Sequence, residues 1–252
     1  MAMLKKLTLI LLLISFTFFA NAQRQRGRIK LKTSEAGLVG NLGYYGNPHW
    51  GIGANIHYAL GVGRGKQHFN FGAGLRANTF FTKKRFYSTS SPELVSLNPG
   101  GADSLYFAKV QTNTLNAYFL FMFHIKPGVD ICFTTDIGGI NFGDGRKANF
   151  LSYETNPVIT GVNDEYKTEP YAFNLNMYEK NNSYGTIYSE VYGNFALSNA
   201  MRWRLGLSYM RNEYVVNQDI PLNGRRFSQR HWMVTSGIAW NLRKNKTDGL
   251  VF

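Results

Sequence analysis

The chain is organised by alternation. In Trp50-Gly51-Ile52-Gly53-Ala54-Asn55-Ile56-His57-Tyr58-Ala59-Leu60 every second residue is apolar or aromatic, and the residues between are small or polar. Successive side chains of a strand point to opposite faces, so this period predicts a ribbon that is greasy on one side only. Reading for the same pattern gives eight candidate strands: about Ala36–Tyr45, Trp50–Val62, Phe69–Phe81, Val110–Ile125, Val129–Phe142, Gly185–Leu197, Met201–Tyr214 and His231–Leu242. Their apolar faces include Leu38 and Leu42, then Phe69, Phe71 and Leu75, then Phe119, Phe121 and Phe123. Ile131 and Phe133 continue the pattern, followed by Ile187 and Val191, Leu205 and Leu207, and Val234 and Ile238.

The connections sort into two kinds. Gly63-Arg64-Gly65-Lys66, Lys126-Pro127-Gly128 and Ser198-Asn199-Ala200 are tight, turn-type sequences. Thr82–Lys109, Asp144–Tyr184 and Val215–Arg230 are long and polar, and Phe150-Leu151-Ser152-Tyr153 and Tyr171-Ala172-Phe173-Asn174-Leu175 inside the second are suited to extending strands. The first hairpin, around Gly46-Asn47-Pro48, is short where the alternation calls for a long loop. Short turns at one end and long loops at the other describe an all-β, eight-stranded antiparallel up-and-down transmembrane β-barrel, with both chain ends on the same side.

The polar face decides between a membrane and a soluble barrel. A soluble, lipocalin-like barrel turns its outer face to water and needs many Lys, Glu and Asp there. Here the non-apolar face is mostly Gly, Ala, Asn, Ser and Thr with isolated charges. That composition suits the filled interior that eight strands enclose, whereas the opposite face is too continuously aromatic for water. Trp50 and Trp232 open strands at one rim, and Trp203 and Trp240 lie towards the other. From Trp232 to Trp240 the strand climbs roughly 20 Å, which fits aromatic girdles bordering an apolar band of about 25 Å.

The ends of the chain set the compartment. Lys5 and Lys6, the apolar Leu7 to Ala20 and the small-x-small Ala20-Asn21-Ala22 read as a cleavable signal peptide, residues 1–22. Its apolar run of about 14 residues is short of the roughly 20 that span a bilayer as a helix. The expected organisation is then a basic periplasmic segment at 23–35, the barrel at 36–242 and a periplasmic tail at 243–252. Losing Lys5 and Lys6 takes the formal charge from +13 to about +11, partly carried by Arg24, Arg26, Arg28, Lys30 and Lys32. An exported chain meets little nucleic acid, so these charges point to anionic lipid, to cell-wall polymer or to a solvated arm, not to a nucleic-acid partner.

Thr235-Ser236-Gly237-Ile238-Ala239-Trp240-Asn241-Leu242 resembles the terminal assembly signal of outer-membrane barrels, carried by Thr235, Gly237, Trp240 and Leu242. Across Ala36–Leu242 the chain resembles the small OmpA/OmpX-like outer-membrane β-barrel domain family of the Bacteroidetes type, within the broad porin-like class of Gram-negative envelope proteins. The resemblance implies residence in the cell outer membrane and recognition by the barrel-assembly machinery during insertion. It also implies contact with outer-membrane lipid and lipopolysaccharide, and a structural or surface-interaction role through extracellular loops. One departure is that Arg243–Phe252 follows the signal, where such barrels often end on it.

Candidate chemistry is sparse. Arg76, Asp130, Asp136, Glu190, Arg202 and Arg204 fall on the inward face, where a lone charge is too costly, so opposite signs are expected to pair across the lumen. The expected pairing sets Arg76, Arg202 and Arg204 against Asp136 and Glu190. Lys83, Lys84, Arg85, Arg225 and Arg226 lie just beyond the rim, as candidate ligands for lipopolysaccharide phosphates. Cys132 is the only cysteine and the five histidines have no ligand spacing, so no metal or cofactor is expected. An enzyme is not expected either. Two alternatives stay open on the sequence: a lipid-modifying enzyme built on eight strands, and a narrow porin-like channel.

Overall fold

Among the described residues the chain forms eleven antiparallel strands, eight of which close a ring. The computed structural model describes residues 32–45, 47–62, 69–89, 103–126, 128–143, 145–151, 165–176, 183–198, 200–220 and 224–242. In chain order the strands are β1 (Lys32–Tyr45), β2 (Asn47–Val62), β3 (Phe69–Thr89), β4 (Ser104–Lys126), β5 (Val129–Phe142), β6 (Arg146–Leu151), β7 (Glu165–Pro170), β8 (Phe173–Leu175), β9 (Ile187–Ala196), β10 (Met201–Ile220) and β11 (Gly224–Asn241). The ring runs β1–β2–β3–β4–β5–β9–β10–β11 and returns to β1, where Ala36 faces Trp240 and Leu42 faces Val234. Closure removes the exposed edges that an open sheet of this size would present. No helix among the described residues is long and apolar enough to cross a membrane, a test that has no bearing on strands.

The two faces separate as the alternation requires. Leu38, Ile52, Ile56, Leu75, Val191, Leu207 and Val234 stand on the outer surface, each largely exposed. Asn41, His57, Arg76, Asn116, Thr134, Asn194 and Thr235 point into the ring and are buried. The β1–β11 seam needs its glycine: a Cβ on Gly237 would stand 2.3 Å from the Leu38 carbonyl oxygen. In β5 a bulge at Ile137 shifts the register against β4: Asp136 lies opposite the inward Tyr118 and Gly138 opposite Ala117, with Ile137 left unpaired in that ladder and exposed between them. Ile187, expected on the outward face, is buried.

Several expected boundaries are corrected. β1 begins at Lys32, so Lys32–Glu35 belong to the barrel wall and not to the basic segment. β3 continues to Thr89 and β4 starts at Ser104, so both ends of the expected loop Thr82–Lys109 are strand. β10 and β11 likewise extend through much of Val215–Arg230. The alternation fails as a guide there because the outer face of these extensions no longer has to be apolar. The signal peptide, most of the basic segment and the tail 243–252 lie outside the described residues.

The extensions build a second ring above the first. β3 pairs with β4, β4 with β6, β6 with β7, β7 with β10, β10 with β11, and β11 returns to β3 through Phe227 opposite Thr89 and Ser228 opposite Ser88. β1 and β2 are absent from this upper ring because their hairpin turns at Tyr45 and Asn47. The barrel therefore narrows from eight strands to six. The dome so formed is packed with Tyr87, Leu105, Phe107, Val110, Tyr214 and Phe227, all buried, with Phe150 and Tyr166 against them. Between the rings, β8 takes up pairing with β5 above β9, and Leu175 pairs with Tyr184 as a short excursion from the wall.

Candidate functional site

Three features could carry function: the polar lumen, the seam where the ring loses two strands, and the outer rim.

The lumen is filled in tiers. At the end where the chain enters β1, Glu35 is fully buried, with its Oε2 3.0 Å from Arg204 Nη2 and its Oε1 3.4 Å from Arg202 Nε. Arg202 also binds Asp130, and Asp130 accepts from His124 Nδ1 at 2.6 Å. His57 sits between Glu35, at 3.7 Å, and the Tyr118 hydroxyl, at 3.1 Å. The next tier centres on Arg76, which lies 3.5 Å from Asp136 and 3.9 Å from Glu190, donates to Thr134 Oγ1 at 2.6 Å, and is held between the rings of Tyr118 and Tyr188 at 4.5 Å each. Asp136 accepts from Asn116 Nδ2 at 2.6 Å and Tyr188 N at 3.0 Å, and Glu190 accepts from Thr235 Oγ1 at 3.2 Å. Above it a web of Asn141, Asn174, Thr186, Asn212 and Thr112 leads to the Tyr87 and Tyr214 hydroxyls at the floor of the dome. Arg76 and Arg204 each retain 1 % of their surface, so both are almost wholly withdrawn from solvent.

All six sequence-derived lumen charges thus point into the ring; Arg76 pairs with Asp136 and Glu190 as expected, whereas the other two arginines have different partners. Arg202 and Arg204 do not reach Asp136 or Glu190; they neutralise Asp130 and Glu35. The tilt and stagger of the strands decide which inward side chains share a level, and alternation carries no information about stagger. Glu35 was missed because the basic run before it masks the start of β1, although its parity with Gly37, Val39 and Asn41 is inward. His57 and His124 were legible as inward or rim histidines, but not as ion-pair members. Among the described residues no group of three metal-ligating side chains converges, and the histidine contacts are to Asn47, Trp232, Arg85, Tyr118, Glu35 and Asp130, not to a serine or cysteine. Cys132 is buried as a free thiol.

The seam lies above the short hairpin. Arg85 turns inward and donates from Nη2 to the Asn47 carbonyl oxygen at 2.6 Å and to His49 Nδ1 at 2.8 Å. Arginine can only donate, so His49 Nδ1 accepts and Nε2 carries the proton offered to the Trp232 carbonyl oxygen at 3.2 Å. His231 and Phe80 pack on the His49 ring at 5.0 and 6.0 Å. Gly43 makes room for this ring, since a Cβ there would lie 2.1 Å from His49 Nε2. Side chains here close the gap left by the missing pair of strands.

At the rim, Trp50, Trp203, Trp232 and Trp240 all face outward. Trp50 stacks on Phe81 at 4.3 Å, and Trp232 packs on Tyr209 at 5.0 Å. Of the expected phosphate ligands, Lys83, Lys84 and Arg225 are exposed. Arg85 and Arg226 are not available. Arg85 is buried in the seam because the facing of β3 inverts after Lys84, and Arg226 is engaged by Glu213 beneath the Tyr184 ring, 4.2 Å away. In the assembly segment Thr235 is inside the lumen, Gly237 is in the seam with β1, and Trp240 and Leu242 face out.

No protein-family model matches the chain, and no curated protein matches it in sequence. Similar solved structures include Neisserial surface protein A, 9 % identical over 83 % of this chain and 96 % of that one, with a TM-score of 0.35. A major outer membrane protein from Thermus thermophilus is 12 % identical over 82 % and 98 %, with a TM-score of 0.33. The attachment invasion locus protein of Yersinia pestis, solved with the heparin analogue sucrose octasulfate, is 10 % identical over 82 % and 97 %, with a TM-score of 0.30. Scores this low carry no argument for the present chain, whose fold class rests on its own closed ring of eight antiparallel strands.

Proposed function

We propose that the chain is an integral outer-membrane β-barrel with a closed lumen, which displays its six-stranded dome outside the cell and acts by surface contact, not by transport or catalysis. One observation carries the reading: a closed ring whose outer wall is an aliphatic and aromatic belt, with its ionisable side chains turned inward and paired. A belt of that extent aggregates in water and is at home in hydrocarbon. The filled tiers and the packed dome argue against a channel, and no described histidine hydrogen-bonds the serine or cysteine that acyl transfer would use. Lipopolysaccharide and the barrel-assembly machinery are the partners that go with this setting, the latter reading the Thr235–Leu242 segment.

The test is fractionation. Expressed with its own N-terminus in a Gram-negative host, the protein is expected in outer membranes, resistant to alkaline carbonate and released only by detergent. Recovery as a soluble periplasmic protein overturns the reading.

A further inference from the structure

Just above the aromatic rim, three lysines share one patch of the outer wall. Lys83 and Lys84 lie on β3 and Lys109 on β4; all are exposed, and Lys83 stands directly opposite Lys109 in the ladder. Like charges facing each other across strands are unfavourable. No carboxylate comes within ion-pair reach of any of them among the described residues, whereas Lys147 elsewhere on the dome is paired with Glu165 at 2.8 Å.

The backbone inverts its facing at this patch. Below it Arg76, Asn78, Phe80 and Thr82 point inward; above it Arg85, Tyr87 and Thr89 do, so Lys83 and Lys84 both face out. Lys84 makes the inversion with φ at 49°, the left-handed region that side chains other than glycine, asparagine and aspartate rarely adopt, and it is the one such non-glycine residue described. β4 inverts at the same level, leaving Ala108 and Lys109 outward together. The inversion buries Arg85 in the seam, and its other consequence is that two adjacent cations stand side by side on the outer wall.

Height and neighbours identify the occupant. Lys83 lies two residues beyond Phe81, which stacks on Trp50, so at the usual rise and tilt the ammonium groups sit roughly 5 Å above the indole level. That is where lipid phosphates lie. One step higher, Phe86 and Tyr106 form an outward pair at 5.1 Å, an apolar platform of the kind that stacks on sugar rings. We propose that Lys83, Lys84 and Lys109, with Phe86 and Tyr106 above them, seat the phosphate-bearing sugar headgroup of an anionic glycolipid in the surrounding leaflet. This rests on the membrane reading given above.

The test reconstitutes the wild type and a K83Q/K84Q/K109Q variant into phosphatidylcholine vesicles. These are doped with bisphosphorylated lipid A or with the same lipid A after phosphatase treatment. Bound lipid is read by native mass spectrometry across a lipid titration, and folding by heat-dependent gel mobility. The wild type is expected to prefer the phosphorylated lipid, and the triple variant to bind it about a hundredfold more weakly, at the usual contribution of a lysine beside an anionic surface. F86A/Y106A is expected to weaken binding to both lipids alike. Equal binding by wild type and triple variant, or indifference to the phosphates, overturns the proposal. Displacement of the lipid by millimolar glucosamine phosphate overturns the lipid source in favour of a free anion. A protein that enters neither vesicle overturns the membrane reading itself, a result separate from entry without lipid preference.

Discussion

Arg76→Leu is expected to be the most damaging single change in the lumen. The guanidinium is the one cation within ion-pair reach of both Asp136 and Glu190 among the described residues, at 3.5 and 3.9 Å, and it is clasped by two tyrosine rings. Leucine removes the charge and leaves two buried carboxylates on one level. Asp136 keeps Asn116 and the Tyr188 amide as donors, and Glu190 keeps Thr235, but neither keeps a cation. Breaking a buried pair from one side costs about 3–5 kcal/mol. Glu190→Gln is the informative contrast, because it leaves the Arg76–Asp136 pair in place; its cost is expected near ~1 kcal/mol, the value of one ordinary hydrogen bond. Arg76→Leu combined with Glu190→Gln is then expected to be less harmful than Arg76→Leu alone, a coupling that independent sites do not show. Val191→Ala, on the outward face beside Glu190, serves as a control whose loss lipid can cover. Urea titration in detergent micelles, followed by tryptophan fluorescence, measures all four. Arg76→Leu within about 1 kcal/mol of wild type, or strict additivity in the double variant, would refute the dry ion-pair plug.

Two further outcomes are expected. In planar bilayers the protein gives no steady large conductance, since both the arginine tiers and the dome block the axis; sustained nanosiemens openings contradict this. In the dome, burial pushes the Tyr214 hydroxyl up to about 12 despite its hydrogen bond with Thr112 and the nearby Arg146 charge, and burial raises Tyr87 as well. The unfolded chain loses these protons first, near 10, so the dome is fully stable below that pH and loosens as pH rises through 12. Tyr214→Phe flattens that dependence in pH-stepped limited proteolysis, and a wild-type dome equally resistant at pH 9 and pH 12 would count against the buried hydroxyl.

The parts of this fold that are legible in the sequence are those where two solvents impose opposite demands on alternate residues. From Trp50 to Leu60 one face meets lipid and the other a packed lumen, so the period survives unbroken. Above the rim the outer face meets water and the inner face becomes apolar, as at Tyr87, Leu105 and Phe107. The contrast is then reversed, and Lys83–Thr89 reads as loop although it is strand. The inversion at Lys84 adds to this by moving the inward set from even to odd positions, which hides Arg85 among apparent surface charges. Ion-pair partners were illegible for a different reason. Arg204 and Glu35 are 169 residues apart and meet only because closure brings β10 and β1 to either side of β11.

The short first hairpin, an anomaly in the spacing of the loops, accounts for the upper half of the molecule. Had β1 and β2 risen as far as β3 and β11, an eight-stranded wall would have continued above the membrane around a lumen wide enough to need more polar filling. Their early turn at Tyr45 and Asn47 leaves β3 and β11 to meet each other at Thr89 and Phe227. Two fewer strands make a narrower ring, one that aromatic side chains alone can fill. The same step creates a notch between β3 and β11, which must be closed by side chains, and Arg85, His49 and His231 do so. Burial of Arg85 there requires the facing of β3 to invert, and the inversion brings Lys83 and Lys84 out side by side at the height of the lipid headgroups. The packed dome, the sealed seam and the cationic patch are therefore linked consequences of one short turn. Lengthening that hairpin is the change that would disturb all three together.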